Sequence, residues 1–207
     1  MEEGTMAIAL IFVIIFSYLL GSISFSYLIA KKIRKVDIRQ HGSGNAGATN
    51  TLRVLGVGPA VAVLSLDILK GIAAVWFGVL LAPDNMGVFP ALAGFAAIIG
   101  HNWPIYYGFR GGKGVATTIG VLATLVFLPA LIAGIIAILS IIFTKYVSLG
   151  SLIFVIGTSI VTFIMGDYPD AYFYLTIVVA LLSLWRHRTN VQRLLSGNES
   201  RIGQKTK

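Results

Sequence analysis

Long apolar segments, separated by short stretches of glycine, proline and charged residues, recur from one end of this chain to the other. A helix of about 20 such residues spans the hydrocarbon core of a bilayer. Only 12% of the residues are charged, whereas an average soluble domain carries about 25%. The pattern therefore predicts an all-α polytopic membrane protein, formed by a single integral membrane domain over residues 1–207.

We place seven predicted transmembrane helices along the chain. They lie at about 6–30, 59–82, 87–103, 115–128, 130–147, 149–166 and 171–185. Several are shorter than the roughly 20 residues of a straight crossing, and the fourth and fifth can be divided differently around Pro129. The amino terminus lacks the basic region and the cleavage site of a signal peptide, so we interpret the first segment as a permanent helix.

The basic residues predict the orientation of these spans. With seven spans, 15 of the 16 Lys and Arg residues fall on one side, in loop 31–58, loop 104–114, the turn at Lys145 and the tail 186–207. The other side receives only acidic residues, namely Glu2, Glu3, Asp84, Asp167 and Asp170. Because basic loops favour the cytoplasmic side, the amino terminus is predicted outside and the carboxyl terminus inside.

The net charge of +8 could also suggest a nucleic-acid partner, but its distribution argues against one. The basic residues are interleaved with Gly, Asn and Ser at one membrane face, without a helix that carries aromatic platforms. We therefore expect no nucleic acid among the partners. The chain has no cysteine, which excludes disulfides, thiolate zinc sites and a cysteine nucleophile.

The first of three polar stretches on the predicted cytoplasmic side is HGSGNAGATNTLR, residues 41–53. Its glycines let the backbone adopt left-handed conformations and approach a ligand closely. Side-chain amides and hydroxyls supply further donors, and the guanidinium fork of an arginine suits phosphate. A flexible polar linker is the alternative. The residues that we predict to bind phosphate here are Ser43, Gly44, Asn45, Asn50 and Arg53.

The second stretch, GFRGGKGVATTIG from Gly108 onward, looks like a nucleotide-binding loop at first sight. A P-loop needs a glycine where Tyr107 stands and a hydroxyl residue where Gly114 stands, and a strand should precede it. An ATP or GTP site is therefore excluded. Successive backbone N–H groups before a helix that begins at Val115 still predict an anion nest rather than a simple turn with a snorkelling lysine. Its predicted phosphate-binding residues are Gly111, Gly112, Lys113 and Gly114.

The third stretch, RHRTNVQRLLSGNE at residues 186–199, follows the last predicted span. On a continuing helix, His187 and Asn190 share a face. A histidine of near-neutral pKa can act as a base or donate to phosphate. A basic helix that lies on anionic lipid headgroups is the alternative.

Four further polar residues lie at or inside predicted spans. Asp67 and Lys70 are three residues apart in the second span, and we expect either a functional role or a mutually neutralising structural pair. Ser148 lies at the cytoplasmic end of the sixth span and is predicted either to contact phosphate or to cap the helix. His101 ends the third span, and we interpret it as an interfacial anchor.

The predicted cytoplasmic face carries many phosphate donors but few carboxylates. A magnesium site needs oxygen ligands, typically carboxylates, and the aspartate-rich helix of phospho-alcohol transferases is absent. The His-x-x-x-x-Asp pattern of many acyltransferases is absent too, because Ala46, Tyr106 and Gln192 stand five residues after the three histidines. We therefore expect a site without metal, cofactor or His–Asp dyad, which suits an activated donor and substrates that carry phosphate.

Together, GSGNAGATNTLR, GFRGGKGVAT and HRTNVQRLLSGNE resemble the three cytoplasmic motifs of the bacterial acyl-phosphate-dependent glycerol-3-phosphate acyltransferases, the PlsY family. The resemblance covers essentially the whole chain. It implies transfer of a fatty acyl group from acyl phosphate to the 1-hydroxyl of glycerol-3-phosphate, which gives lysophosphatidic acid and phosphate in the first step of bacterial phospholipid synthesis. It also implies a multi-pass protein of the bacterial cytoplasmic membrane, with a cytoplasmic active site, membrane lipids around it and no obligate protein partner.

The resemblance further implies that Ser43, Arg53, Lys113, His187 and Asn190 line the site. We favour direct attack of the glycerol hydroxyl on acyl phosphate, with cations and backbone N–H groups neutralising the leaving phosphate. His187 or an acyl-phosphate oxygen accepts the proton. An acyl-enzyme on Ser43 is the weaker hypothesis, because no histidine is clearly placed to activate it. Glu199 is given a structural role by the resemblance.

A transporter of a phosphorylated solute is the alternative function. The chain shows no internal repeat, and Asp67 and Lys70 are the only polar residues that mark a path near the bilayer midplane. Both observations favour the enzyme.

Overall fold

The structure is a computed structural model that describes residues 3–82 and 87–203. Every regular element in these residues is helical, which confirms the predicted all-α class. Four residues whose side of the membrane is predicted above lie outside the described part: Glu2, Asp84, Lys205 and Lys207. The helices are α1 Glu3–Gly21, α2 Phe25–Arg34, α3 Ala48–Leu55, α4 Val57–Leu81, α5 Val88–Asn102, α6 Val115–Leu125, α7 Phe127–Thr144, α8 Val147–Met165, α9 Asp170–Arg186 and α10 Arg188–Leu195, with 3₁₀ turns at Ile38–Gln40 and Ile105–Tyr107.

The first predicted span corresponds to α1 and α2, and each of the other six corresponds to one helix, but these segments differ in their capacity to cross a bilayer. Five segments of the described chain are long and apolar enough by length and composition: Glu3–Arg34, Val57–Leu81, Val88–Tyr107, Phe127–Thr144 and Val147–Met165. The fourth predicted span is α6, whose 11 residues extend only about 16 Å at the rise of an α-helix. The seventh is α9, with 17 residues. A count of seven crossings therefore stays a prediction.

The first predicted span is interrupted between α1 and α2. Gly21 and the serines at 22 and 24 have low helix propensity, and α1 ends at Gly21. The break exposes the carbonyl oxygen of Ile23 to the interior, where it accepts a hydrogen bond from Lys70 Nζ (2.8 Å). Lys70 of the second span thus forms a hydrogen bond with the backbone at the break in the first span.

The described chain falls into two compact units, divided after Leu125. In the first unit, small residues let helices approach closely, as is common in membrane proteins. A Cβ atom added to Gly21 of α1 would overlap backbone atoms of Ala97 in α5. Likewise, α4 and α6 meet at Gly71 and Gly120, where an added Cβ would overlap the facing backbone. This packing places the carboxyl end of α5 and the amino end of α6 beside the loop that follows α2.

The second unit contains α7 to α10 and the segment that follows them. Helices α7 and α8 form a hairpin whose turn places Lys145 in the left-handed region (φ 64°). The chain beyond α10 returns to this turn, because the N–H of Ile202 donates to the carbonyl of Lys145 (2.9 Å). Arg201 stacks on the ring of Tyr146, with 5.4 Å between its guanidinium carbon and the ring centroid. This return fixes the position of the residues just before it, which include Glu199.

Candidate active site

The first polar stretch is organised by the buried side chain of Asn50. Its amide nitrogen donates to the carbonyls of Ile38 (3.0 Å) and His41 (2.9 Å), and its oxygen accepts from the N–H of Ser43 (2.8 Å). Every polar atom of this amide is therefore engaged with backbone. Asn50, predicted to bind phosphate, holds the loop over residues 38–43 in the structure.

The loop itself presents small polar groups to the surface. Ser43 is exposed, and Asn45 Nδ2 approaches its hydroxyl at 3.4 Å. Gly44 has φ 72°, a conformation that favours glycine. Helix α3 begins after Gly47 without a side-chain cap, and Arg53 in its last turn is half-buried. The geometry is that of a short loop leading into a helix amino terminus, a common arrangement for binding anions.

The second polar stretch folds against the carboxyl end of α5. The N–H of Gly112 donates to the carbonyl of His101 (3.2 Å), and Gly112 and Gly114 are buried. Gly114 adopts φ 78° and leads directly into α6, whose first turn follows it. Lys113 is half-buried between these two glycines. The fold contains the predicted glycine-rich turn with Lys113 before a helix amino terminus, but the N–H of Gly112 is used within the protein, and the binding of an anion here stays a prediction.

The two loops meet at Gly112. A Cβ atom placed on this residue would overlap both the carbonyl oxygen of Ala46, in the first stretch, and Nε2 of His101. Only glycine fits here, because backbone and imidazole occupy the space on either side. The structure thus brings the first and second predicted motifs into direct contact in one unit.

A second contact between the loops is made by Arg39. Its guanidinium pairs with the Asp37 carboxylate through Nε (2.9 Å) and Nη2 (2.7 Å), and its Nη1 donates to the carbonyl of Tyr107 (2.6 Å). The hydrogen bond from Arg39 lowers the pKa of Asp37, so this carboxylate stays ionised and the arginine stays anchored. The pair tethers the segment before the first motif to the segment before the second.

Behind the loops lies a buried cluster of ionisable side chains. Lys70 Nζ lies 2.8 Å from Asp67 Oδ1 and 3.0 Å from His101 Nδ1. Asp67 and Lys70 therefore form the close ion pair considered from the sequence, with His101 as a third member. His101 is 6% exposed, so it is an interior residue, and the interpretation as an interfacial anchor is wrong.

In the second unit, His187 lies at the junction of α9 and α10, where the predicted continuous helix turns. Its Nδ1 is 2.9 Å from the carbonyl oxygen of Ser183. Because a carbonyl only accepts, Nδ1 carries a hydrogen in this contact. In the neutral ring, Nε2 then holds the lone pair, which is the state that a general base requires.

Glu199 organises the remaining polar residues of this unit. Its Oε1 accepts from Asn190 Nδ2 (2.6 Å) and Ser148 Oγ (2.7 Å), and its Oε2 accepts from Arg193 Nε (2.8 Å). Burial alone would raise the pKa of Glu199, but the three hydrogen bonds and the charge of Arg193 outweigh it and lower the pKa. Ser148 is the second residue of α8 and donates to this carboxylate, whereas Tyr146 occupies the N-cap position, so Ser148 is not the helix cap.

Sequence reasoning missed four residues that support the loops. Asp37 and Arg39 were visible as an Asp-x-Arg pair beside the first motif, whereas His101 and Asn102 resembled the polar end of a span. Asn102 is buried against Gly114, and neither polar atom of its amide has a hydrogen-bond partner within the described residues. Buried polar atoms usually have a partner, so this amide is a further candidate for the site.

Helices long and apolar enough to cross a bilayer define this chain as an integral membrane protein. Its two adjoining glycine-rich loops each lead into a helix amino terminus, an arrangement that is common in anion sites. The family model for glycerol-3-phosphate acyltransferase matches residues 11–197. The chain belongs to this family, that of PlsY, as the three motifs predicted. It is an acyltransferase of phospholipid biosynthesis and a multi-pass membrane protein.

Curated relatives and solved structures agree with this assignment. The chain is 71% identical over 195 residues to a glycerol-3-phosphate acyltransferase of Halalkalibacterium halodurans, covering 93% of this chain and 95% of that protein. It is 63% identical over 203 residues to that of Shouchella clausii, covering 97% and 99%. A crystal structure of PlsY, an integral membrane glycerol 3-phosphate acyltransferase in its glycerol 3-phosphate form, is similar with a TM-score of 0.86 at 39% identity, covering 94% of this chain and 96% of that one. A lysophosphatidic acid form is similar with a TM-score of 0.84.

Proposed function

We propose that this enzyme transfers a fatty acyl group from acyl phosphate to the 1-hydroxyl of glycerol-3-phosphate and releases lysophosphatidic acid and inorganic phosphate. The observation that carries the proposal is the contact of the two glycine-rich loops at Gly112. Two adjoining loops that each lead into a helix amino terminus suit two substrates that each carry a phosphate. The names of the relatives support the acceptor, and the paired loops support a phosphorylated donor.

The donor side of the reaction requires charge neutralisation more than proton transfer. Acyl phosphate is a mixed anhydride, and its leaving phosphate is stable once its negative charge is neutralised. Lys113, Arg53 and the backbone N–H groups of Gly111 and Gly114 supply cations and donors for it, whereas the N–H of Gly112 is engaged with the His101 carbonyl. Aimed donors of this kind each lower a barrier by about 2.7–4 kcal/mol in a water-excluded site. No metal ion is required for this chemistry, and we propose metal-free transfer.

The acceptor side requires a group that takes the proton of the attacking hydroxyl. His187 is suited to it, because the Ser183 carbonyl fixes its tautomer with the lone pair on Nε2. We assign the orientation of the hydroxyl to Asn190 and Ser148, which Glu199 holds in place. Transfer is direct: the C–O bond to the glycerol oxygen forms as the C–O bond to the phosphate breaks. Ser43 binds substrate and forms no acyl-enzyme.

The setting of the reaction is also part of the proposal. We propose seven crossings in one integral membrane domain, an amino terminus outside, and motif loops at 31–58, 104–114 and 186–207 on the cytoplasmic face of the bacterial inner membrane. The basic residues of these loops support the orientation. Glycerol-3-phosphate then reaches the site from the cytoplasm, while the acyl chain remains among membrane lipids. No nucleic acid or obligate protein partner takes part.

The test is a turnover assay with protein purified in detergent. Incubation with palmitoyl phosphate and glycerol-3-phosphate, with EDTA present, should release phosphate and form lysophosphatidic acid in equal amounts. Turnover with palmitoyl-CoA but not with palmitoyl phosphate would refute the donor. Loss of turnover on chelation would refute the metal-free mechanism. A transporter of phosphorylated solutes would release no phosphate, and acyl label trapped on Ser43 would refute direct transfer.

A further inference from the structure

Three ionisable side chains of α4 and α5 are buried in the first unit. Asp67 is 1% exposed, Lys70 3% and His101 6%. Ionisable groups inside a membrane protein are costly and commonly mark functional sites. Mutual neutralisation explains why Asp67 and Lys70 lie together, but it gives no reason for His101, which adds a third polar group to the pair.

Lys70 determines the orientation of the imidazole. Its ammonium group has three hydrogens, and three acceptors lie around it: Asp67 Oδ1 at 2.8 Å, the carbonyl of Ile23 at 2.8 Å and His101 Nδ1 at 3.0 Å. An ammonium group only donates, so Nδ1 is the acceptor in its contact with Lys70, and Asp67 Oδ1 lies 3.5 Å from the same nitrogen. The contacts with Asp67 and Ile23 fix the position of Lys70, and Lys70 in turn fixes the Nδ1 edge of the imidazole.

The opposite edge of the same ring adjoins the second loop at the point where it contacts the first. Nε2 and Cδ2 of His101 adjoin Gly112, and Gly112 adjoins the carbonyl oxygen of Ala46. The backbone of His101 also binds the loop, since its carbonyl accepts the N–H of Gly112 (3.2 Å). A single residue of α5 therefore supports the second loop at the point where it touches the first.

We infer that Asp67, Lys70 and His101 form a positioning unit that sets the separation of the two loops, and hence of the two phosphates that they hold. The inference rests on the proposed use of these loops for phosphate. Lys70 and Asp67 orient the imidazole, and the imidazole acts on substrate only through the loop backbone. A misplacement of reacting groups by about 1 Å costs on the order of 10²-fold in rate, so a small shift of the ring is sufficient to affect turnover.

Two substitutions of His101 separate its two edges. His101→Gln places an amide nitrogen near Nε2, on the loop side, whereas His101→Asn places an amide oxygen near Nδ1, on the Lys70 side. The positioning unit requires both contacts of the ring, so His101→Gln and His101→Asn should each lose at least about tenfold in kcat/KM, with a raised KM for glycerol-3-phosphate. Wild-type kcat/KM in either variant would overturn the inference, because one edge of the ring would then be dispensable.

A double substitution separates positioning from simple charge neutralisation. Asp67→Leu with Lys70→Met removes both charges together, and apolar replacement of a buried ion pair commonly leaves a fold stable. We expect the thermal unfolding midpoint to stay close to that of the wild type, while kcat/KM falls about ten- to a hundredfold because the imidazole loses its donor. Wild-type kcat/KM in the folded double variant would show that the pair only neutralises itself, and would refute the positioning unit.

The comparison needs a matched control and a readout that is independent of the acyl donor. Thr162→Val removes a buried hydroxyl that bonds within α8 (2.7 Å to the Thr158 carbonyl), and it should leave activity unchanged. Calorimetric titration with glycerol-3-phosphate measures the binding of this substrate without any acyl phosphate present. If wild-type protein binds glycerol-3-phosphate but does not use acyl phosphate, the proposed donor fails. If the His101 and Asp67/Lys70 variants bind glycerol-3-phosphate with unchanged affinity and turn over normally, the positioning unit fails.

Discussion

At the scale of single residues, Gly112 is the position where the site tolerates least change. Alanine at this position would overlap the Ala46 carbonyl and the His101 imidazole at once, so the two loops must separate to admit it. We expect Gly112→Ala to lower kcat/KM by at least about tenfold, because the separation of the two phosphates changes. Steady-state kinetics with both substrates varied would measure the effect.

Gly58→Ala is the control for this substitution. Gly58 lies in the first turn of α4, and no atom lies within 4 Å of an added Cβ. It should retain wild-type kinetics and a wild-type unfolding midpoint. A Gly112→Ala protein with normal kinetics would mean that the loops can move apart without consequence, contrary to the proposed role of their contact.

His187 carries a separate expectation, based on its tautomer. If Nε2 accepts the proton of the glycerol hydroxyl, His187→Ala should lower kcat by about 10²–10⁴-fold, the usual contribution of a general base. His187→Gln should be similarly impaired, since an amide cannot accept a proton at neutral pH. Single-turnover measurements would isolate the chemical step. A loss below about tenfold would assign the proton to the acyl phosphate itself.

Glu199 should make the stability of the second unit depend on pH. Its folded-state pKa lies below the ordinary value of 4.5, so its stabilisation is complete above pH 4.5 and is lost as the pH falls through the lowered pKa. Glu199→Gln should therefore unfold more easily near neutral pH, by about 1.5–3 kcal/mol for a hydrogen bond to a charged group. The difference from wild type should shrink in acid, as unfolding in detergent between pH 3 and 8 would show.

Glu3→Gln provides the comparison, because Glu3 is an exposed carboxylate at the start of α1. It should unfold like the wild type at every pH. A constant difference between Glu199→Gln and wild type across the whole range would show that the ionised carboxylate is not what holds Asn190, Ser148 and Arg193.

The sequence suggested candidate groups for the chemistry and missed the residues that hold the loops. Glycines beside Lys113 are visible as a local pattern, since a phosphate nest uses consecutive residues. His101 and Lys70 are 31 residues apart, and their contact depends on how α4 packs on α5, which no local pattern encodes. Asn50 was found for a different reason, because its type suggested a donor to phosphate, while the fold uses its amide for the loop.

At the scale of elements, the first loop depends on one side chain of α3. Asn50→Leu removes one acceptor and two donors from backbone groups at residues 38–43, and the loss at the buried Ile38 carbonyl alone costs about 1–3 kcal/mol. We expect faster proteolytic cleavage within residues 41–47 in the absence of substrate, together with reduced kcat/KM. Gln40→Ala, an exposed change in the neighbouring 3₁₀ turn, should alter neither.

The same experiment distinguishes a supporting role for Asn50 from direct contact with substrate. If Asn50 supports the loop, its replacement by leucine loosens the loop whether or not substrate is present. If Asn50→Leu raised the KM for glycerol-3-phosphate and left the cleavage rate unchanged, the amide would instead contact phosphate, as its residue type first suggested.

Hydropathy predicted the ends of the long helices well and the interruptions poorly. The predicted span at 59–82 corresponds to α4, Val57–Leu81, because a long apolar run needs no tertiary contact to form a helix. The break between α1 and α2 was missed, because serine and glycine are common in membrane helices and do not mark a break by themselves. In this chain the break is tied to Lys70 of α4, which only the packed unit provides.

At the scale of the whole molecule, the distribution of charge bears on how many helices cross the membrane. Five crossings, without α6 and α9, and seven crossings both place the amino terminus outside and the carboxyl terminus inside, so the termini cannot separate them. The two topologies differ at the α7–α8 turn and after α8. Five crossings would put Lys145 outside and Asp167 inside, which opposes the preference of basic residues for the cytoplasm. Seven crossings satisfy that preference at both positions.

Because the chain contains no cysteine, single cysteines can test this topology without background. Exposed positions suited to the purpose are Gly4, Lys32, Lys145 and Asp167. With a membrane-impermeant maleimide on spheroplasts, we expect labelling of Gly4→Cys and Asp167→Cys, and protection of Lys32→Cys and Lys145→Cys until the membrane is permeabilised. Labelling of Lys145→Cys together with protection of Asp167→Cys would establish five crossings, whereas protection of Gly4→Cys with labelling of Lys32→Cys would reverse the orientation and move the first motif loop to the outer face.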